Sequence, residues 1–153
     1  MLEKYRNSLP IIEPQNPFLD MTKVDLDKLE NFVNHKLWIR EKVEEDLIEK
    51  IDILINIDKE NNIVCFKEGN TNYDDLVGIE DLNTNYNEGN IDFKSFIGKK
   101  VKITNKYNNT IECAIQGIED ELIIFAVRLA NYETLSYDLS YPLNLIRNIE
   151  ESL

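Results

Sequence analysis

Apolar residues recur along this chain with two different periods. From Asp25 onward, Leu26, Leu29, Val33 and Leu37 fall at three- and four-residue steps. Val43, Leu47, Ile51 and Leu54 continue that spacing, with Glu41, Glu44, Glu45 and Glu49 on the opposite side. Such a stripe, with Asp25 or Asp27 as cap, predicts an amphipathic helix, continuous or broken near Arg40. Residues 51–57 also alternate as a β-branched strand. With 58–62 as a turn and 63–66 as a second run, they predict a hairpin, so the expectation is helix to Lys50 and then hairpin. From Phe93 the period becomes two. Val101 and Ile103, then Ile111, Cys113 and Ile115, then Leu135, Tyr137, Leu139 and Tyr141 alternate with polar neighbours, and 122–129 reads as a more buried strand. Pro142 precedes a last segment at 143–149. Five short strands joined by tight turns predict a small closed or half-open barrel.

Prolines mark the other end. Pro10, Pro14 and Pro17 are three of the four in the chain. They predict an extended arm that lays Leu9, Ile11, Ile12, Phe18 and Leu19 across the core. The expected fold class is therefore α+β: an arm at 1–22, a helical segment with a hairpin and an acidic Asn-rich loop at 23–92, and a barrel at 93–153. These parts are short enough to share a single core. Within the loop, 70–75 (NTNYDD) is echoed by 83–88 (NTNYNE), too short a repeat for a solenoid.

Charge sharpens this picture. The formal net charge is −12, and it is uneven: Asp and Glu number 6 against 6 Lys and Arg in 1–40, 15 against 4 in 41–92, and 8 against 7 in 93–153. An acidic surface disfavours a sequence-independent grip on phosphate backbones and docking on anionic membranes. A basic partner is electrostatically favoured.

The segment 93–103 (FKSFIGKKVKI), followed by 111–120, a strand, a turn and Pro142-Leu143-Asn144-Leu145-Ile146, resembles an Sm-like or SH3-type small β-barrel. It is similar to the C-terminal domains of bacterial ribosome maturation factors. In that pattern Gly98-Lys99 enters the first strand, Gly117-Ile118-Glu119 ends the second, and the Pro142 step leads to the last. The Asn expected after the acid of the first Sm motif is replaced by Leu122-Ile123-Ile124, and the Arg-Gly or Lys-Gly step of the second motif is missing. The resemblance thus implies a barrel without carrying RNA binding across.

Motifs for chemistry are sparse. His35 is the single histidine, with no second His or nearby Cys to build a transition-metal set. Cys65 and Cys113, each in an apolar run, read as buried reduced thiols of a cytoplasmic protein. Only five glycines occur, none clustered, so phosphate-cradling loops and nucleophile elbows are absent. Trp38 reads as a cap on the core sooner than as a partner anchor. Residues 1–10 lack the apolar stretch of a secretory signal, and no run is long enough to span a membrane.

The expectation is a non-enzymatic protein with no cofactor and no metal. Its acidic surface docks on a basic protein partner, as an immunity or inhibitor-type protein does. Partner-binding candidates are Glu41, Glu44, Glu45, Asp46, Asp74, Asp75, Glu80, Asp81 and Glu88, with Tyr73 and Tyr86 as aromatic anchors. The alternative is an RNA- or ribosome-associated barrel module that uses Lys94, Lys99, Lys100, Lys102 and Lys106. A third reading is a subunit of a homo-oligomeric ring.

Overall fold

The computed structural model describes residues 2–21 and 23–152 and is nearly all β. Its strands are β1 (Ile11–Ile12), β2 (Lys36–Val43), β3 (Asp46–Asp58), β4 (Ile63–Phe66), β5 (Gly69–Asn72), β6 (Leu76–Asp81), β7 (Lys100–Asn105), β8 (Thr110–Glu119), β9 (Leu122–Leu129), β10 (Ser136–Pro142) and β11 (Ile146–Glu151). Helical structure among the described residues is confined to 3₁₀ turns of three or four residues. The chain divides into two compact units, Met21–Thr84 and Met1–Asp20 with Asn85–Leu153.

The α+β expectation is overturned, because the predicted amphipathic helix does not form. Leu29 lies in a 3₁₀ turn (Leu29–Phe32), and Asn34 at φ 71° then takes the left-handed conformation, which interrupts any right-handed helix. Beyond it, Leu37 and Ile39 point into the core as alternate residues of β2. The stretch predicted to be helical as far as Lys50 instead runs through β2 and the start of β3. The rest of β3 is dominated by β-branched Ile51, Ile53, Ile55 and Ile57, which suit extended backbone. Leu26, Leu29, Val33 and Leu37 share a helical spacing because the turn and the strand both feed one core, which also holds Leu54, Val64, Phe66, Leu76 and Ile79.

The sheet of the unit Met21–Thr84 has the order β5-β4-β3-β2-β6. It is a meander of antiparallel hairpins whose last strand returns to pair with the first. A 3₁₀ turn (Tyr73–Asp75), capped by the Asn72 side chain, makes the return. The entry to β2 is clamped to the middle of β3: Asn34 N–H donates to Leu54 O at 2.7 Å and Leu54 N–H to His35 O at 3.2 Å. Asp52 is buried with both carboxylate oxygens satisfied, by the N–H groups of Ile53 and Glu68.

The second unit repeats this plan bond for bond. β10-β9-β8-β7-β11 is the same order, with β1 added alongside β9. Gly98 N–H donates to Ile115 O at 2.8 Å and Ile115 N–H to Lys99 O at 3.0 Å, the counterparts of the Asn34 and His35 bonds, and Gly98 is left-handed as Asn34 is. Leu54 faces Phe66 just before a bulge after which Asn56 faces Cys65; Ile115 faces Phe125 just before a bulge after which Gly117 faces Ile124. The returning strands match too. Ile39 faces Ile79 and, past a bulge, Glu41 faces Leu76; Ile103 faces Ile149 and, past a bulge, Asn105 faces Ile146. The two units are a tandem repeat of one module, offset by 64 residues at the first strand. The echo between 70–75 and 83–88 is unrelated to it, since its first copy is β5 with its turn and its second copy falls beyond β6.

The arm belongs to the second unit. Its Leu2 and Leu9 pack on Ala114 and Ala126, and Phe18 meets Tyr141 and Phe125 at ring-centroid distances of 4.6 and 6.5 Å. Ala114 and Ala126 stand where the first module has Ile53 and Lys67, so small side chains make the room that the arm fills.

Phe66 and Phe125 occupy equivalent core positions, 5% and 0% exposed. Phe66→Ala and Phe125→Ala are each expected to lower stability by about 3–5 kcal/mol in urea titrations of the transition that reports their own unit. In the β3–β4 turn the Asp58 carboxylate accepts from Asn61 Nδ2 and Asn61 N–H, and these bonds hold its pKa below the ordinary value. Its contribution is therefore fully present above the ordinary carboxylate pKa and is lost as pH falls through the lowered folded value. The urea midpoint should consequently fall more steeply on acidification in the wild type than in Asp58→Ala.

Candidate functional site

The β2–β3 hairpin outgrows its sheet. β6 accompanies β2 only as far as Glu41, and β4 accompanies β3 only from Leu54 onward, so the segment 42–49 is paired with itself alone. Its tip is Glu44-Glu45, between the paired Val43 and Asp46. Glu44 has φ 58°; the other non-glycine residues at positive φ among those described are Asn or Asp. A left-handed L-residue without an Asx side chain costs roughly 1–2 kcal/mol. Aliphatic side chains are left bare here: Val43, Leu47 and Ile48 are 42, 57 and 43% exposed.

Direct pairing sets which side chains share a face. Glu41 stands opposite Ile48 and Val43 opposite Asp46, so all four project on the face that lower down carries Leu37 and Ile39. That face forms one wall of a recess of about 300 Å³, lined by Glu41, Lys42, Val43 and Glu44 from the hairpin and by Asn70, Thr71, Asn72 and Asp75 from β5 and its turn. Glu41 is the fixed point of the recess, with one oxygen accepting from Thr71 Oγ1 at 2.6 Å and the other 3.3 Å from Lys50 Nζ. Among the described residues, the carboxylates of Glu44, Glu45, Asp46 and Asp75 have no ion-pair partner. The unit Met21–Thr84 carries 16 Asp and Glu against 8 Lys and Arg, whereas the other unit has 13 against 9.

Of the residues singled out from sequence, Glu41, Glu44 and Asp75 line the recess, with Glu45, Asp46 and Asp74 adjacent to them in the chain. The remaining ones lie elsewhere and have structural partners. Tyr73 donates its hydroxyl to Val24 O at 2.8 Å under the Lys23 ammonium, its pKa raised by desolvation first and by Asp25 second. Glu80 is buried on β6, and Asp81 bonds His35 Nδ1 at 3.1 Å and Asn83 N–H. Tyr86 and Glu88 belong to the other unit, where their N–H groups donate to Asn144 O and Arg147 O. Trp38 is only 2% exposed. Sequence reading missed Asn70, Thr71 and Asn72, and it assigned Val43 and Leu47 to a helix stripe. The available signal was Val43, Leu47 and Ile48 interleaved with three consecutive acids.

Two of the five lysines behind the alternative reading have glutamates beside them across the strands. Lys102 stands between Glu112 on β8 and Glu150 on β11, and Lys99 Nζ is 3.7 Å from Glu151. Lys106 instead lies over the rings of Tyr86 and Tyr107, at 5.2 and 4.8 Å. No group of three metal-ligating side chains converges among the described residues, and no described helix is long and apolar enough to cross a membrane. Cys113 is buried, which pushes its thiol pKa well up, and both cysteines are unbridged. No known protein family, curated protein or solved structure matches this chain.

Glu44→Gly removes the Cβ from a left-handed position, and a gain in stability of about 1 kcal/mol is expected, less the entropy glycine adds to the unfolded chain. Urea unfolding of the two proteins side by side measures it; a loss of stability would show that the Glu44 side chain itself supports the tip.

Proposed function

We propose that this chain is a non-enzymatic binding protein that docks on a basic protein partner through the acidic recess and projecting hairpin of Met21–Thr84, as an immunity or inhibitor-type protein does. One observation carries the reading: Glu41, Glu44 and Asp75 converge from separate segments on a recess edged by bare Val43, with bare Ile48 opposite Glu41 on the same face. Unpaired carboxylates at a rim raise the rate of encounter with a cationic surface, and desolvated aliphatic side chains beside them supply affinity. The partner segment accordingly carries an Arg or Lys next to an aliphatic or aromatic residue. The guanidinium or ammonium enters the recess, and its neighbour covers Val43 and Ile48.

The RNA-associated reading rests on Lys106 between Tyr86 and Tyr107, since bases stack on aromatic rings held beside cations. It ranks second because cross-strand glutamates flank Lys102 and Lys99, which removes two of the five cations that backbone binding needs.

Selection of random dodecapeptides displayed on phage against the intact protein tests the proposal. Enriched peptides are expected to pair Arg or Lys with an apolar neighbour and to lose about tenfold or more in affinity for the double variant Glu44→Gln/Asp75→Asn, with the loss shrinking at high salt. Enrichment without basic residues, or equal binding to the variant, would overturn it. Filter binding of single-stranded RNA over a salt series decides the second reading, which fails if no salt-sensitive binding is found.

A further inference from the structure

The unit that contains β7 to β11 has a groove of its own, independent of the acidic recess. Leu2 and Lys4 of the arm, Ile97 and Gly98 of the turn before β7, Ile115 and Gln116 of β8 and Tyr137 of β10 enclose about 530 Å³. That lies within the range of small-molecule sites, and the walls are mostly aliphatic and aromatic carbon. The N-terminal arm builds one wall. Tyr5 anchors the arm by donating its hydroxyl to Gly98 O at 3.0 Å, and Tyr137 donates to Glu3 Oε1 at 2.9 Å.

The charges at the mouth are not equivalent. Glu3 is engaged by Tyr137 and by the Leu135 N–H, and Asp138 is held by Gln116 Nε2 at 3.1 Å. The Lys4 ammonium lies 5.1 Å from the Tyr5 ring centroid and has no carboxylate partner among the described residues. The Lys4 side chain is itself exposed, so its ammonium remains able to take an anion while it lies over the half-buried Tyr5 ring.

Comparison of the two modules isolates the floor of the groove. Gly98 and Asn34 hold the same left-handed place and make the same clamp bond, so asparagine satisfies the backbone there. A Cβ on Gly98 would touch no atom within 4 Å, so packing inside the protein does not require glycine, and the left-handed φ of 84° is the one cost a side chain would meet there. What glycine leaves is a bare wall, with room for an apolar body that a side chain at this position would fill.

We propose that this groove binds an amphiphilic monoanion, an aliphatic or arylalkyl carboxylate whose chain lies along Ile97, Gly98 and Ile115 and whose carboxylate meets Lys4. The probes are octanoate and octylamine, titrated into the full chain while the δ1-methyl resonances of Ile97 and Ile115 are followed by NMR. Octanoate is expected to shift both methyls saturably. Octylamine should bind about threefold more weakly, the size of one exposed ion pair, and Lys4→Glu should reverse the order. Gly98→Asn, strained only by the left-handed φ that Asn34 also adopts, should lower the melting temperature by no more than a few degrees and abolish the saturable shifts. Ile97→Ser, at a position already 44% exposed, should weaken octanoate without unfolding the protein. Absence of saturable shifts, an unchanged titration in both Gly98→Asn and Ile97→Ser, or octylamine binding as tightly as octanoate would overturn the proposal.

Discussion

Each module depends on one left-handed residue placed before its first strand. At Asn34 and Gly98 the backbone turns so that one N–H and the next carbonyl both reach the middle of the following strand, at Leu54 and Ile115. Those two bonds fix where the entering chain crosses the sheet, and so fix which residues of β2 and β7 face inward. Once Leu37 and Val101 are committed to the core, a slip of one residue would expose every apolar side chain of the strand. The bulges just past Leu54 and Ile115 bend the second strand, and those at Glu41 and Asn105 fit the returning strand. Buried apolar area supplies the driving force in both modules, and the clamp decides where it is placed.

The modules share a backbone plan while their polar chemistry differs. Glu41 and Thr71 form a side-chain bond at the place where Asn105 and Tyr141 form theirs, at 2.6 and 3.1 Å. In one module the acceptor is a carboxylate that keeps a negative charge at the rim. In the other the neutral amide of Asn105 is the donor, through Nδ2 to the Tyr141 hydroxyl oxygen, while its own oxygen accepts from the N–H groups of Tyr107 and Asn109. One hydrogen-bonding position thus stands with a charge in the first module and without one in the second, and that charge adds to the acids of the hairpin tip and of the Tyr73–Asp75 turn.

Legibility from sequence followed the local signals. The strands after Phe93 could be read because Val101, Ile103, Ile111 and Cys113 alternate cleanly with polar residues. The first module concealed the same plan. Trp38 is buried between two core residues and masks the alternation of β2, and the projecting hairpin places exposed Leu47 at a spacing that a helix would also give. The repeated plan was hidden for a related reason: what the two modules share is register and the backbone sign of φ, which Asn and Gly both satisfy, and few residue identities. Of the candidate site, the acids at the hairpin tip were legible as charge. Their meeting with Asn70, Thr71 and Asn72 was not, because it depends on the path of β5, which local periodicity does not encode.

The arm illustrates how an architecture sets a schedule. Ile12 pairs with Leu129, and Leu9 rests on Ala114 and Ala126, yet an entire module intervenes in the chain between the arm and these partners. As the polypeptide leaves the ribosome, the module from Met21 to Thr84 is complete before any partner of the arm exists. At roughly 5–20 residues per second, about 120 residues of elongation leave Leu2, Leu9, Ile12 and Phe18 without their cover for something like 6–24 s. The three early prolines are well placed for that interval, since each removes a backbone donor and fixes φ, which makes the segment a poorer template for mispairing with another nascent strand.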